Sequence, residues 1–355
     1  MKIRVLHITE ALNGGIYSIF ESLSGDSDYI EHTLYWSCHP DTPIPNTTNL
    51  ENGNFHSFQL PAKKYKKYIS IFRLSRSKNF DVIHLHSSRS GFFGRILPSP
   101  SPIVYSAHGY SFQKLDINRL FRAFFFLIES VLQVNTTAHF NWWPVEEKYA
   151  MTIKPKRRSL NCSLMVMAPF KRKDDAKLEL QIKKRNQVVI VGRVTSAKDP
   201  KFAIEMFKIL VELDPSINLI WVGGGDQILI DELESAGIYV TGWVSKEEVI
   251  SFMKNSYSLI ITSAWEAGPA TLYEALSLDL PIAARSIPST QVLGFNTFST
   301  PKDLAIEVQL LKNPSYSLER YNQQFESTYS ALEAGQFRNM VDLYSEIVKW
   351  GEIGA

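Results

Sequence analysis

Residues 258–276 read SLIITSAWEAGPATLYEAL, and this stretch decides the class of fold. Its first part, SLIITSA, has the length and composition of a buried strand, and its apolar run is continuous rather than alternating, as expected for a strand covered on both faces. Gly268 and Pro269 then start a helix, with proline where its missing N–H costs nothing. The first turn offers the N–H groups of Ala270, Thr271 and Leu272 to an anion. Glu266 precedes that turn, and Glu274 lies one to two turns inside the helix. The helix dipole favours an acid near its N-terminus, which accounts for Glu274 in part and for Glu266 hardly at all.

The same strand-then-helix order repeats along the chain. IRVLHIT, DVIHLH and PIVYSAH in the first half, and VVIVGRV, NLIWVGG, SLIITSA and LPIAAR in the second, predict two parallel-sheet α/β domains in series. The 355 residues are enough for two separate cores. Residues 151–186 carry eleven Lys/Arg against three acids, a composition shift that marks a boundary near Phe170 and gives domains 1–170 and 171–355. A formal net charge of +2 supplies no overall basic field, so no nucleic-acid partner is expected. Cys38 and Cys162 stand far apart without metal-ligand spacing, which argues against a zinc site and a disulfide framework. The chain opens on a strand-like run with no apolar leader, so a cytoplasmic setting is expected. Its most apolar segment, LFRAFFFLIESVLQV (120–134), is broken by Arg122 and Glu129 and is shorter than the roughly 20 residues of a spanning helix.

Ligands of open α/β sheets bind beyond the carboxyl ends of the strands, and further segments stand there. HITEALNGGIYSIF places Gly14 and Gly15 ahead of a helix, as a tight turn or as an anion-binding loop. It is not G-x-G-x-x-G, so the dinucleotide fingerprint is missing. In VVIVGRVTSAKDP, Arg193 follows a strand and Lys198 comes five residues later; the pair reads as solvated loop charges or as a diphosphate site. IWVGGGDQ adds Gly223, Gly224 and Gly225, which alone only turn the chain.

EAGPATLYEA, GRVTSAKDP, WVGGGD, VTGWVS and HITEALNGG, in order along residues 3–282, together resemble the retaining GT-B glycosyltransferases of family 4, whose signature is E-x7-E. The resemblance implies two Rossmann-like parallel-sheet domains facing across a cleft, an acceptor-binding first domain, a donor-binding second one, and a C-terminal helix that can cross back to the first. It implies transfer of a sugar from a nucleotide donor, with UDP as the first expectation and GDP next, with retention and without metal or other cofactor. Glu274 would bind the ribose hydroxyls and Glu266 those of the donor sugar. Arg193 and Lys198 would neutralise the diphosphate, aided by the turn Ala267, Gly268, Pro269, Ala270 and Thr271. Gly242, Trp243 and Val244 would lie against the base, and Gly14 and Gly15 would face the donor. From YSAHGYSF, His108 would approach the reacting carbon, completing a catalytic set with Glu266, Arg193 and Lys198. His86, Ser87, Ser90 and Tyr110 would line the acceptor side, with His84 packed in its strand. The chain departs from the family pattern at Asp279, where a glycine is usual, and at NWWPVEEKY, which replaces a Ser-x-x-E segment.

The resemblance also implies a glycan acceptor on polyprenyl diphosphate, as in bacterial O-antigen, capsule or exopolysaccharide synthesis. Residues 61–76 and 119–129 mix basic and aromatic side chains, and read either as a surface for peripheral contact with an anionic membrane or as amphipathic core helices with solvated lysines. Two other functions compete with this one. A catalytically silent GT-B protein that binds nucleotide-sugar or glycan as a regulator or assembly partner sits badly with the intact set Arg193, Lys198, Glu266 and Glu274. An NAD-dependent oxidoreductase lacks its fingerprint.

Overall fold

The computed structural model describes residues 2–12, 14–23, 29–39, 42–52, 55–153, 158–161, 186–334 and 340–353. The chain forms two parallel-sheet α/β units, Met1–Met165 with Gly335–Ala355, and Val166–Ala334. The division expected near Phe170, and most of the basic segment around it, lie outside the described residues.

The first unit runs β1 (Ile3–Thr9), α1 (Gly15–Leu23), β2 (Ile30–Trp36), α2 (Thr48–Asn52), β3 (Phe55–Gln59), α3 (Lys64–Leu74), β4 (Val82–His86), α4 (Ser88–Arg95), β5 (Ile103–Ser106), α5 (Arg119–Leu132), β6 (Ala138–Asn141), α6 (Pro144–Ile153) and β7 (Arg158–Asn161). Its sheet has the order β3-β2-β1-β4-β5-β6-β7, with every pair parallel. The sequence marks only β1, β4 and β5. In β2, β3 and β6 the apolar run is broken by His32, Thr33, Ser57, His139 and Asn141, yet four of these are buried; His32 bonds His7 on the neighbouring strand and His139 bonds Tyr110 beyond β5.

The second unit runs β8 (Gln187–Val191), α7 (Pro200–Leu213), β9 (Asn218–Val222), α8 (Gln227–Ser235), β10 (Tyr239–Val240), α9 (Lys246–Lys254), β11 (Leu259–Ile261), α10 (Ala270–Ser277), β12 (Ile282–Ala284), α11 (Pro288–Gln291), α12 (Pro301–Leu310) and α13 (Pro314–Ala334). The sheet order is β10-β9-β8-β11-β12, all parallel. Four of its helices start on side-chain caps: Asp199 for α7, Asp226 for α8, a Ser245/Glu248 capping box for α9 and Thr300 for α12. The last helix, α14 (Met340–Ile353), belongs to the first unit and places the buried Tyr344 against His84 and Phe140.

Strand order fixes where sites can form. In the first sheet β1 lies between β2 and β4, and in the second β8 lies between β9 and β11. At such a reversal two successive loops diverge to opposite faces and open a crevice at the strand ends.

Candidate functional site

In the second unit the reversal joins the loop after β8 (192–199) to the loop after β11 (262–269). Ala264 N donates to Ala197 O at 2.8 Å, and Thr262 Oγ1 donates to Lys198 O at 2.7 Å. The result sets Lys198 Nζ 2.7 Å from Glu266 Oε1, with only 19% and 13% of the two side chains exposed. Ser263 Oγ donates to the same carboxylate oxygen. Asp199 takes a left-handed turn (φ 51°) and caps α7, a conformation that strains a residue with a Cβ. Arg285, at the end of β12, holds it there: Nη1 donates to Asp199 Oδ2 at 2.6 Å and to Thr262 O at 3.1 Å, while the guanidinium lies 4.1 Å over the Phe202 ring.

The loop after β9 locks onto this pair. A Cβ at Gly225 would sit 2.1 Å from Val194 O, and one at Gly223 would sit 2.3 Å from Gly192 O, so only glycine permits the approach. The triplet is therefore more than a turn. A Cβ at Gly224 would meet Trp243 Nε1 at 2.7 Å, which puts the indole, 44% exposed, directly on that backbone. Gly242 (φ 69°) and Val244 flank it. Arg193 is exposed, and its guanidinium makes no hydrogen bond or ion pair among the described residues. Pro269 precedes α10 without any side-chain cap, which leaves the first-turn N–H groups of Ala270 and Thr271 for a ligand. Glu274 is the fifth residue of that helix and is half-buried.

In the first unit the reversal joins the loops after β1 and β4. Glu10 Oε2 accepts from Ser87 Oγ and from Ser90 N, both at 2.8 Å, so a carboxylate occupies the N-terminus of α4. His108 follows β5 with φ 48°, and Gly109 with φ 97°. Glu146 steadies that loop: Oε1 accepts from Gly109 N at 3.1 Å and Oε2 from Trp142 N at 3.0 Å. Burial pushes the Glu146 carboxyl up to about 7, opposed by these backbone donors. Glu146 lies within the segment where the chain departs from the family pattern.

Behind His108 stand four more histidines. His7 bonds His32 at 2.9 Å and His86 at 3.0 Å, and His86 bonds His108 at 2.9 Å. His84 bonds Tyr344 at 2.5 Å and Ser106 at 2.8 Å. Burial holds His7, His84 and His86 well below the usual imidazole range, with neighbouring rings adding to the effect, and lowers His32 and His108 to about 3. Among the described residues His7, His84 and His86 are the group with ligand atoms close enough to share a metal, all within 4.8 Å.

The predicted residues are thus partly assembled. Lys198 meets Glu266, Gly224 packs on Trp243, and Arg193 shares the Lys198 loop. Gly14 (φ 52°) and Gly15 are exposed at the start of α1. His86 and Ser90, by contrast, are fully buried, and Tyr110 is 2% exposed with its hydroxyl 3.2 Å from His139 Nδ1. These three present no surface to an acceptor; they support from beneath a face that Ser87 and His108 reach. Sequence reasoning missed Glu10, Glu146, Ser263 and Arg285. Glu10, Ser263 and Arg285 were visible only as polar residues just past a strand end.

Residues 171–293 match the family Glycosyl transferases group 1, and residues 32–138 match Glycosyl transferase 4-like. The chain is 25% identical over 257 residues to the UDP-Gal:alpha-D-GlcNAc-diphosphoundecaprenol alpha-1,3-galactosyltransferase of Escherichia coli, covering 66% of this chain and 65% of that one, a little under two thirds of the relative's length. Among solved structures, the sucrose-phosphate synthase of Thermosynechococcus elongatus superposes with a TM-score of 0.71 at 15% identity and covers 100% of both chains. HepE of Anabaena in complex with UDP-glucose gives a TM-score of 0.69 at 14% identity over 98% of each chain. With one glycosyltransferase family match in each unit, on two parallel-sheet α/β domains, the chain has the GT-B fold and carries a glycosyltransferase family domain in each half.

Proposed function

We propose that the protein moves a sugar from a UDP-sugar to a glycan carried on polyprenyl diphosphate, with retention at the anomeric carbon, in the assembly of a bacterial surface polysaccharide. The observation that carries this reading is the Lys198–Glu266 contact at the β8/β11 reversal, beside the uncapped start of α10. Departure of the diphosphate develops negative charge, which Arg193, Lys198 and the N–H groups of Ala270 and Thr271 stabilise without a metal. Glu266 takes hydroxyls of the donor sugar, Glu274 those of the ribose, and Trp243 the base. The name of the Escherichia coli relative, with UDP-galactose as donor and a diphosphoundecaprenol acceptor, supports both substrate classes.

A thermal-shift panel of UDP, GDP, ADP and NAD, on wild type and Arg193→Ala, tests the donor. UDP is expected to raise the midpoint, and Arg193→Ala to weaken it about tenfold to a hundredfold, the loss of a charge-assisted contact. Stabilisation by NAD alone, or an equal UDP shift in both proteins, would sink the assignment.

The acceptor reading places the first unit on the inner face of the cytoplasmic membrane. No helix among the described residues is long and apolar enough to cross one. Helix α5 is capped by Asn118 and anchored inward by the buried Arg95–Glu129 pair at 2.8 Å. Anchored so, it turns Leu120, Phe121, Phe124, Leu127 and Val131 outward, each more than half exposed. Through Arg95 it adjoins α4, and Phe93 of α4 stacks on Tyr68 of α3, a helix bearing Lys64, Lys66 and Lys67. An apolar strip with lysines nearby is the surface an anionic bilayer binds. The protein is expected to float with vesicles containing anionic lipid, and the Phe121→Asp/Phe124→Asp variant to stay at the bottom of the gradient. Wild type that never floats would refute membrane contact.

A further inference from the structure

His32, His7, His86 and His108 form one unbroken hydrogen-bonded chain from the core of the first sheet to the loop after β5. Its links join His32 Nδ1 to His7 Nε2 (2.9 Å), His7 Nδ1 to His86 Nε2 (3.0 Å), and His86 Nδ1 to His108 Nε2 (2.9 Å). Every link runs in the same sense, from Nδ1 of one ring to Nε2 of the next. A neutral imidazole has one N–H and one bare nitrogen. The chain therefore has two neutral arrangements, with all four rings protonated on Nδ1 or all four on Nε2, and one choice sets the rest.

The two ends decide between them. His32 Nε2 is buried and has no partner, whereas His108 Nδ1 is bonded to no described residue and reaches solvent. Protonation on Nε2 throughout would strand an N–H at the buried end, and orphaned buried donors are rare and costly. Protonation on Nδ1 throughout leaves a bare nitrogen there and brings the N–H out at His108. Burial keeps all the rings neutral, so no extra proton scrambles the order.

His84 stands outside the chain. Ser106 Oγ donates to Phe140 O and accepts from Trp142 Nε1, so His84 must be its second donor through Nε2–H, and Tyr344 then donates to His84 Nδ1. Every ring nitrogen of His7, His84 and His86 is thus engaged, and a metal on that trio would have to displace a hydrogen bond at each ligand.

We propose that His32, His7 and His86 are positioning residues that lock His108 in its Nδ1–H tautomer, so that His108 meets a hydroxyl oxygen of the donor sugar as a neutral hydrogen-bond donor and not as a base. Only the identity of that ligand rests on the transferase reading; the tautomer does not.

Long-range 1H–15N correlation spectra of the full chain labelled with [15N]histidine test it, with the His108 signal assigned by its loss in His108→Gln. The expected spectrum shows His108 protonated on Nδ1. His86→Leu, which removes the donor to Nε2, is expected to give a tautomer mixture and to lower kcat/KM about tenfold. His86→Gln, whose amide N–H can replace the lost donor, restores both. Protonation of wild-type His108 on Nε2 overturns the proposal, and that measurement requires no variant of His32, His7 or His86 to fold. So does an unchanged His108 tautomer in His86→Leu, or one zinc per chain whose removal by EDTA shifts the histidine signals. Added UDP-glucose that moves no His108 resonance overturns the contact with the donor sugar while leaving the tautomer result standing.

Discussion

Acidification from about pH 7 to about pH 5 is expected to unfold the first unit of the protein. Five histidines, His7, His32, His84, His86 and His108, have folded-state pKa values pushed far below the ordinary imidazole value by loss of water around their rings. Below about pH 6.5 the unfolded chain takes up a proton at each of them, and the folded chain does not. The unfolded state then binds more protons, so stability falls as pH falls, by about 1.4 kcal/mol per pH unit for each ring and about 7 kcal/mol per unit for the set. Glu146 acts in the opposite direction. With its carboxyl raised to about 7 from an ordinary 4.5, it adds stability as pH falls through that window, at the rate of one proton. The net loss between pH 6.5 and pH 5 is still comparable with the roughly 5–15 kcal/mol that holds a domain together. Hydrogen exchange read by mass spectrometry, corrected for the intrinsic pH dependence, should show protection of β1, β2 and β4 collapsing across that interval. Full protection of those strands at pH 5 would mean that the rings are not buried as neutral imidazoles.

The strand–turn–helix at residues 258–276 was legible because its signals are local: a continuous apolar run, Gly268-Pro269, then a helical pattern. So were the strand ends from which Arg193 and Lys198 project. What sequence does not contain is register. His84 and His86 can be read as neighbours on one strand face, but nothing local says that His7 pairs opposite His84, or that His32 lies on the same face one strand further out. A cluster that determines the acid stability of the unit is therefore invisible until the sheet is assembled. Helix α5 failed to resolve for a related reason. Its composition fits a core helix and a surface helix equally, and the decision rests on Glu129, which turns inward only because Arg95 waits there, 34 positions earlier. Ser263 and Arg285 escaped notice because their partners, Glu266 and Asp199, are set by the convergence of loops from different strands.

Two substitutions at the Lys198–Glu266 contact are expected to move UDP affinity in opposite directions, although both abolish most transfer. In the free protein Glu266 and Ser263 satisfy one another and Lys198 shares the same carboxylate oxygen, all largely out of solvent. An arriving diphosphate must draw the ammonium away from that carboxylate or share it. Lys198→Ala removes a cation that stabilises the departing diphosphate, and leaves Glu266 as a poorly hydrated anion facing incoming phosphates. UDP binding weakens, and turnover falls by about 10²–10³, the usual loss when one fixed donor to developing charge is deleted. Glu266→Gln keeps the shape and the Ser263 contact but releases Lys198 from its neutralising partner. UDP, which carries no sugar to miss the carboxylate, then binds more tightly, because the ammonium no longer has a carboxylate partner to leave. Transfer still falls, because the neutral amide is a weaker acceptor for the sugar hydroxyls than the carboxylate. Calorimetric titration of UDP into both variants, paired with UDP release during turnover, reads the two effects separately. If Glu266→Gln weakens UDP as much as Lys198→Ala does, the glutamate serves to hold the lysine in place, and its assignment to the donor sugar falls.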